Sequence, residues 1–474
     1  MPSSKNKIMQ LKQFYLFFLL LLAACNVPTP SEEMAEGDSS DIFAFVDVNV
    51  LPMTGNSLST GQTVIVKDGK IEAIGPAADI DVPAGATVLE ASGKYLMPGL
   101  AEMHAHIPVP QEGNDALVRE TLFLYLSRGV TTIRGMLGNP YHLELKKMIE
   151  QDSILSPRVF TSSPSLNGNT VPNAEEARRL VTQYQRDGYD FLKIHPGIPL
   201  EAFDEMAKTA REVGITFSGH VPQPVGIRHA LDAQYASIDH LDGYLSGLAS
   251  QEDWERLDNN IGFFGYRTVP YADANEIAVL AQQTKDNGVW IVPTQSLFTR
   301  WFSPVDPAAM ANEPEMKYMS GRTRYQWRQS KQNAIGDAEY NEEQWKKMID
   351  LRQQLLRALH EADVPLLLGS DAPQVFNVPG FSLEHEMNAM ADAGISNAVI
   401  LHSGTSNPAR FFGQEGAFGT IQKGASADLL LLSGNPLEDL SQTWAQEGVM
   451  VRGYWMPKDM IDEQLREIAA AHAE

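Results

Sequence analysis

Two histidines separated by one residue are the first feature of this sequence that could bind a metal ion. His104 and His106 end a predicted strand, Glu102–His106. Residues two apart on a strand point to the same face, so both imidazoles could bind one cation. A His-x-His pair alone is more often incidental, so the interpretation depends on further residues elsewhere in the chain.

A lysine inside an apolar stretch is the second such feature. Lys193 lies within the predicted strand Phe191–Ile194. Burial of an unpaired ammonium group is costly, so Lys193 either pairs with a core acid or leaves the strand end for solvent, or it is a neutral amine. A neutral amine can react with carbon dioxide, and the resulting carbamate is an anionic oxygen ligand able to bridge two metal ions.

Three more polar residues follow predicted strands. His220 and His240 each close one, and Asp371 comes directly after the last. Taken singly, the histidines are more often structural, and an aspartate in this position could cap a helix. All candidates together nevertheless predict a metal centre with nitrogen and oxygen ligands: His104, His106, Lys193, His220, His240 and Asp371. Such ligands suit zinc, with manganese, iron and cobalt as open alternatives.

The elements that must position these residues alternate as short apolar strands and helical stretches over residues 97–412. This pattern predicts an α/β fold with a distorted (β/α)8 TIM barrel, in which chemistry occurs at the carboxyl ends of the strands. The segment Ser303–Glu361 is expected to be helical and to contribute a lid. The eight predicted strands are Glu102–His106, Thr131–Arg134, Arg158–Ser162, Phe191–Ile194, Ile215–Gly219, Ser237–Leu241, Trp290–Pro293 and Leu366–Gly369.

The two ends of the chain are predicted to form a second domain. Residues 41–96 and 413–457 read as short strands and turns, and Asp68-Gly69 between two apolar runs indicates a hairpin. Strands from both ends can pair, which predicts a small β-sandwich built from both ends of the chain. A helix is predicted for the last residues, 458–474.

The first residues have the pattern of an export signal. Lysines precede a nine-residue apolar run, and Leu22-Ala23-Ala24-Cys25 resembles the bacterial lipobox. This resemblance predicts a lipoprotein signal peptide over 1–24, lipidation of Cys25 and a flexible tether over 25–40. The chain would then be exported and attached to a membrane, at the outer membrane or periplasmic side if the cell is Gram-negative. The alternative is a plain secretory signal with an incidental cysteine.

Composition excludes several classes of protein. Among 474 residues, 60 are acidic and 37 basic, for a net charge of −23, so a nucleic-acid partner is not expected. The single cysteine excludes an intrachain disulfide and a cysteine-based zinc cluster. The expected partners are a small-molecule substrate and, through the lipid anchor, a membrane, and a homo-oligomer is an open alternative.

Longer motifs resemble the amidohydrolase superfamily, and more narrowly its imidazolonepropionase-like and prolidase-type members with two metal ions. One departure is Glu102, where the family usually has aspartate. It lies behind the predicted metal face, so binding should survive. The matching segments are the strand pair 64–75, the first and second barrel strands within 96–106 and 129–134, and the return to the sandwich in 405–410 and 419–429.

The resemblance implies a role for each candidate ligand. His104 and His106 would bind the more buried metal, and His220 and His240 the more exposed one. Carbamylated Lys193 would bridge the two divalent ions. Asp371 would contact the first metal and act as general base and acid for a metal-bridging hydroxide.

Candidate substrate contacts are less sharply defined by the sequence. Tyr244 could donate to a developing oxyanion or to a carboxylate, or simply pack in a loop. His195 could turn into the barrel mouth because Pro196 ends its strand. Arg134 could bind a carboxylate or form a structural ion pair, and Gln295 is a further mouth candidate.

These features together predict a metal-dependent hydrolase of amide- or peptide-type C–N bonds, resembling a dipeptidase or an N-acyl amino acid amidase. The alternative enzyme hypothesis is that the same binuclear site acts on cyclic amides, lactones or phosphoesters. The alternative of another class is a non-catalytic surface binding lipoprotein, which would be expected to have lost ligands.

Overall fold

The computed structural model describes residues 42–473. The predicted signal peptide, the tether and the lipidation site Cys25 lie outside the described residues. Within 42–473, no helix is both long enough and apolar enough to cross a bilayer.

Strands from both ends of the described chain form one sheet. The order is β15-β14-β13-β5-β1-β2-β3, and β4 also pairs with β1. Strand β5 pairs with β13 in antiparallel register, Leu96 opposite Leu431, so the two ends meet in the middle of the sheet. The strands are β1 (Phe43–Val50), β2 (Ser59–Lys67), β3 (Lys70–Pro76), β4 (Thr87–Glu90), β5 (Tyr95–Pro98), β13 (Leu429–Leu432), β14 (Gln446–Val451) and β15 (Tyr454–Pro457).

The β2–β3 hairpin predicted from Asp68-Gly69 is confirmed. Lys67 pairs with Lys70 across a two-residue turn, and both central residues have positive φ, 49° and 71°. This turn geometry matches the twist of a hairpin. A Cβ on Gly69 would lie 2.8 Å from the carbonyl oxygen of Arg452, so glycine lets the hairpin approach the last strands.

Seven parallel strands within the described residues belong to the barrel. Strands β6, β7 and β8 form one hydrogen-bonded set, and β9 to β12 form another. The strands are β6 (Leu100–Ala105), β7 (Val130–Gly135), β8 (Arg158–Thr161), β9 (Phe191–Ile194), β10 (Thr216–Gly219), β11 (Ser237–Asp239) and β12 (Trp290–Val292).

The eighth barrel position is an extended segment rather than a regular strand. It is joined to β12 by a bridge between Ile291 and Leu366, and to β6 by a bridge between Ala105 and Ala372. Two backbone amides of this stretch are directed away from the neighbouring barrel strands: the Leu368 amide donates to the Ser403 carbonyl at 2.9 Å, and the Ser370 amide donates to Glu102 Oε1 at 2.8 Å. A bridge between Ser162 and Phe191 joins the two strand sets, and the resulting α/β barrel is the predicted fold class.

Helices fill the connections between strands and complete the outer layer. They are α1 (Ala116–Ser127), α2 (Pro140–Glu150), α3 (Ala174–Asp187), α4 (Leu200–Val213), α5 (Gly226–Asp232), α6 (Tyr244–Gly247), α7 (Gln251–Arg256), α8 (Asn275–Asp286), α9 (Gln295–Trp301), α10 (Pro307–Met310), α11 (Gly321–Ile335), α12 (Glu342–Glu361), α13 (Ser382–Asp392), α14 (Asn397–Ser403), α15 (Ser406–Phe411) and α16 (Lys458–Ala471).

Helix α12 is the last helix of the segment predicted to be helical and to contribute a lid, Ser303–Glu361. Its buried apolar residues recur at helical spacing, as at Met348, Leu355 and Leu359, and this stripe packs the helix into the outer layer. Asn341 caps its first turn by accepting a hydrogen bond from the Gln344 amide. Helix α12 therefore belongs to the outer layer of the barrel, and a lid formed by the rest of the segment stays a prediction.

Candidate metal centre

Three predicted ligands meet closely at the carboxyl end of β6. His106 Nε2 lies 2.7 Å from Asp371 Oδ1, and His104 Nε2 lies 3.5 Å from the same oxygen. Asp371 reaches them because its segment runs beside β6, as the Ala105–Ala372 bridge shows. The ligand atoms of these three side chains all lie within 4.8 Å of one another. This spacing allows two nitrogens and one oxygen to hold a single cation.

Two further histidines continue this group toward the barrel mouth. The ring centroids of His104 and His240 are 4.4 Å apart, and those of His240 and His220 are 4.7 Å apart. His240 Nδ1 is 3.9 Å from Asp371 Oδ2. The structure therefore brings the predicted histidines and Asp371 into one continuous cluster, buried at His104 and half-buried at His220.

Three buried polar atoms beside this cluster have no hydrogen-bond partner in the described part of the chain: Lys193 Nζ, His104 Nδ1 and Asp239 Oδ2. The Asp239 oxygen lies 4.0 Å from the amine and 3.2 Å from the imidazole nitrogen. Leaving a buried polar atom unsatisfied costs about 1–3 kcal/mol, so three together need an explanation. A cation held by nitrogen and oxygen ligands fits these residues.

The protonation states of the cluster also suit metal ligation. Burial lowers the pKa of His104 and His240 well below their usual value, and neighbouring cationic groups add to the effect. Burial also lowers the pKa of Lys193 to about 8, against the opposing influence of Asp239. Neutral imidazoles keep a lone pair for a metal ion, and a lysine with this pKa has an accessible neutral form.

Hydrogen bonds from outside the cluster orient the two outer histidines. His220 Nδ1 lies 3.0 Å from Asp242 Oδ2, and His240 Nδ1 lies 2.8 Å from Thr294 Oγ1. A carboxylate can only accept, so it favours a proton on the Nδ1 of neutral His220 and leaves Nε2 as the free ligand atom.

The backbone is strained around this cluster. His240, Thr294 and Asp371 have φ values of 65°, 43° and 66°, in the left-handed region that residues other than glycine rarely adopt. Strain of this kind persists only where surrounding contacts enforce it, and it concentrates at functional sites.

Arg134, one of the predicted substrate contacts, lies inside the barrel. Its side chain is fully buried and donates to Asp239 Oδ1 at 2.9 Å, to the Met103 carbonyl at 2.6 Å and to Ser237 Oγ at 2.9 Å. Arg134 thus forms the ion pair that was the open alternative, and a contact with substrate stays a prediction.

Tyr244 is also buried, and its predicted contact with substrate stays a prediction. Its hydroxyl lies 2.7 Å from Thr284 Oγ1, and the side chain is fully buried. The physical reason is that Tyr244 begins α6 and faces α8, so its ring packs between helices instead of extending into the mouth.

Gln295 lies at the start of α9 and is also fully buried. Its Oε1 accepts a hydrogen bond from Arg352 at 2.8 Å. The structure thus gives Gln295 an internal partner, and a contact with substrate stays a prediction.

His195 lies where its predicted role requires it. Its ring stacks on that of His220, with centroids 5.0 Å apart, and its Nδ1 lies 2.9 Å from Ser165 Oγ. Burial, reinforced by the positive charge of Lys193, lowers the pKa of His195 to about 2, so the ring is neutral at ordinary pH. Contact between His195 and substrate stays a prediction.

Sequence reasoning missed three supporting residues: Asp239, Asp242 and Thr294. Asp239 is a fully buried acid at the end of the strand Ser237–Asp239, and the burial-cost argument applied to Lys193 would have singled it out. Asp242 stands two residues after His240, within reach of a neighbouring strand end. Thr294 carries no comparable signal because its contact depends on a left-handed backbone turn.

A second acidic group lies apart from these ligands. Glu313, Glu315 and His385 could also surround a cation. Arg300 pairs with both glutamates, however, and His385 Nε2 lies 2.9 Å from Glu315 Oε1. Because these side chains already bond to one another, we assign no metal ion to this group.

The chain matches the model of the amidohydrolase family over residues 95–456. An adenine deaminase from Paracoccus denitrificans is 30% identical over 201 residues, covering 38% of this chain and 32% of the relative. The chain thus spans about a third of the length of the first curated relatives that it matches.

Solved structures resemble the chain over most of its length. A candidate prolidase from Bifidobacterium longum has a TM-score of 0.65 and 25% identity, covering 90% of this chain and 99% of that one. A Xaa-Pro dipeptidase with methionine bound in its active site has a TM-score of 0.62 and 18% identity, covering 88% and 99%. At this identity the second likeness supports the fold alone.

Proposed function

The chain belongs to the amidohydrolase family, and from this premise we propose that it hydrolyses an amide- or peptide-type C–N bond in a small molecule. The observation that carries the proposal is the clustering of four histidines with Asp371 beside buried polar atoms that have no hydrogen-bond partner among the described residues. A substrate of the dipeptide or N-acyl amino acid class is favoured by the full-length likeness to the candidate prolidase.

Two divalent ions, zinc in this proposal, would be held by His104, His106 and Asp371 on one side and by His220 and His240 on the other. When bound, such ions lower the pKa of water and polarise a carbonyl group. Nitrogen and oxygen donors without sulfur suit zinc, and the neutral states of His104 and His240 keep their lone pairs available.

Lys193 would complete the centre as a carbamate. Its neutral amine attacks carbon dioxide, an N–C bond forms and the nitrogen releases a proton to solvent. One C=O bond of carbon dioxide opens in this step, so the product replaces an unpartnered amine by a carboxylate group whose single negative charge is shared by two oxygens. The support for this step is the unpartnered Nζ and the lowered pKa of its ammonium form.

Asp371 would move the proton during hydrolysis. Its carboxylate is fixed by His106 at 2.7 Å and faces His240 across 3.9 Å. In the proposed reaction Asp371 accepts a proton from the attacking water as the O–C bond forms. It then delivers that proton to the nitrogen as the C–N bond breaks, so the leaving group departs as a neutral amine.

A second candidate is hydrolysis of a C–N bond in or on a ring. The similarity to an adenine deaminase favours it, as does the aromatic side chain of Phe264 beside the two outer histidines. A flat ring could stack on that side chain. In this reaction the metal ligands would be the same, and Asp371 would again transfer the proton.

The test is a hydrolysis screen with metal-loaded protein over Xaa-Pro and other dipeptides, N-acyl amino acids, cyclic amides, adenine, lactones and phosphotriesters. We expect turnover of at least one linear amide substrate, and about 10²–10⁴-fold lower kcat in Asp371→Asn with a much smaller loss of bound metal. Activity confined to lactones or phosphotriesters, or purified protein that binds well under one metal per chain, would contradict the proposal. Activity confined to ring substrates would select the second candidate.

A further inference from the structure

Arg352 is a fully buried cation that links α12 to the candidate metal centre. Its guanidinium donates to the His240 carbonyl at 2.7 Å, to the Pro293 carbonyl at 3.1 Å and to Gln295 Oε1 at 2.8 Å. A buried charge is tolerated only when its hydrogen bonds are satisfied. Here the acceptors include the main chain of a predicted metal ligand.

The hydrogen bond from Arg352 reaches His240 where the backbone of this residue is strained. Strand β11 ends one residue earlier, and His240 turns into the left-handed region with φ 65°. Its amide donates to the Val292 carbonyl at 2.8 Å, and its Nδ1 lies 2.8 Å from Thr294 Oγ1. The carbonyl bond from Arg352 is therefore one of three contacts that hold a strained ligand residue.

Arg352 is also linked to the imidazole rings of His220 and His240 through two aromatic side chains. Its guanidinium carbon lies 3.6 Å from the ring centroid of Phe298. Phe298 meets Phe264 edge-on at 4.9 Å, and Phe264 lies 5.6 Å from the His240 ring and 5.7 Å from the His220 ring. Arg352 is thus linked to the outer histidines both by its hydrogen bond to the His240 carbonyl and by the packing of aromatic side chains.

Glu386 on α13 supplies a negative charge near the positive charge of Arg352. Glu386 is fully buried and accepts hydrogen bonds from the amides of Gln295 at 2.9 Å and Ser296 at 2.7 Å. It thereby fixes the first turn of α9, whose Gln295 side chain binds Arg352. The buried charges of Glu386 and Arg352 are thus linked through the first turn of α9.

We propose that Arg352 is a positioning residue that holds His240 in its ligand conformation and so sets the affinity of the outer metal position formed by His220 and His240. It would contact neither metal nor substrate. This inference rests on the proposed function, because it presumes that these histidines bind a metal ion.

Lys331 provides a matched control within the same region. It is also fully buried, and its Nζ donates to the carbonyls of Arg300, Trp301 and Ser303 at 2.6, 3.1 and 2.7 Å. These bonds cap the other end of α9, away from the predicted ligands. Loss of Lys331 should destabilise the protein without acting on His240.

The experiment titrates metal-free protein with zinc in competition with a chromogenic chelator, for the wild type, Arg352→Lys, Arg352→Gln and Lys331→Gln. The wild type should bind two equivalents. Both Arg352 variants should bind one equivalent about 10–100-fold more weakly and the other with unchanged affinity, as expected when a partner of a ligand is removed. Lysine cannot make the three divergent bonds of a guanidinium, so it should not rescue fully. Lys331→Gln should lower the Tm while both affinities stay unchanged.

Three results would overturn the inference alone: wild-type affinities in both Arg352 variants, equal weakening of both equivalents, or equal weakening of the outer equivalent in Lys331→Gln. A wild type that binds less than one equivalent would overturn the proposed function and this inference with it. Should Arg352→Gln fail to fold, Arg352→Lys alone decides, because it retains the buried charge and most of the side-chain volume.

Discussion

Glu102 and Lys193 are both ionisable groups buried in the barrel, but their surroundings differ. Glu102 accepts hydrogen bonds from the His104 amide, the Ser370 amide and the Ser370 hydroxyl, and burial raises its pKa to about 8. Lys193 Nζ has no such partner among the described residues. Glu102 therefore holds the eighth segment against β6, whereas Lys193 is available for chemistry.

Lys193→Ala tests the proposed carbamate. Removal of the proposed bridging carbamate should lower metal content and reduce kcat/KM by more than about 100-fold, since even partners of ligands typically cost 10–100-fold. Added formate or propionate should restore part of the activity by occupying the vacated space. Metal analysis and kinetics with and without carboxylate check this, and a fully active, fully loaded variant would contradict it.

A second prediction follows from the buried position of Tyr244. Tyr244→Phe should leave kcat/KM within about twofold of the wild type. It should cost about 1 kcal/mol of stability, because it removes only the bond to Thr284. Thr284→Val is the matched variant, and thermal unfolding with kinetics measures both. A large fall in kcat at unchanged stability would instead place the phenol at the reaction.

These contrasts show what a strand-end pattern can and cannot predict. His104, His220 and His240 were found because a polar residue closing an apolar strand must lie at the barrel mouth or be paired. Arg134 and Tyr244 occupy equally suggestive positions, yet one turns into the barrel interior and the other between helices. Side-chain direction at a strand end depends on backbone turns that the sequence pattern does not specify.

At the scale of elements, the loop around Phe264 forms an aromatic wall beside the outer histidines. Phe264 has φ 50° and ψ 34°, and it stands between Gly262 and Gly265, which also have positive φ. A bulky residue in this region is strained, which suggests that its ring position matters for function. The neighbouring Phe263 is about half exposed, and its ring contacts Phe264, Trp301 and Phe302 rather than a predicted ligand.

The prediction for this loop compares Phe264→Ala with Phe263→Ala. The first should raise KM about tenfold for substrates with an aromatic or bulky apolar group, corresponding to about 1.4 kcal/mol of lost contact. KM for small substrates should change little. Phe263→Ala is expected to affect neither class, and steady-state kinetics on a paired substrate series decides. Equal effects of both variants would mean that the loop acts only through stability.

Strand and helix positions were largely predictable from apolar periodicity, with instructive exceptions. The predicted strand at Leu366–Gly369 is not a regular strand, because the Leu368 amide donates to the Ser403 carbonyl instead of to a neighbouring barrel strand. The polar composition of Ser303–Glu361 concealed the apolar stripe of α12, which is narrow and interrupted by the buried Arg352. Both exceptions depend on tertiary contacts that apolar periodicity does not specify.

At the scale of the whole molecule, the export signal and lipid anchor stay predictions that only the full chain can test. Cys25→Ala should move the protein from the membrane fraction to the soluble fraction, because the proposed acyl chains attach to that sulfur. Fractionation and intact mass, with Arg352→Lys or another internal variant as a control for handling, measure this. Unchanged membrane association with no lipid mass would leave a plain secretory signal.

The meeting of the two chain ends in one sheet has a consequence for biosynthesis. Lys94 and Glu447 form an ion pair at 3.0 Å although they are 353 positions apart in the sequence. While a ribosome makes the intervening residues, at about 5–20 per second, the edge of β5 stays unpaired for on the order of half a minute. An open strand edge invites pairing with another nascent chain. Premature termination before Leu429 would make that exposure permanent, so incomplete chains should aggregate even when the barrel residues are all present.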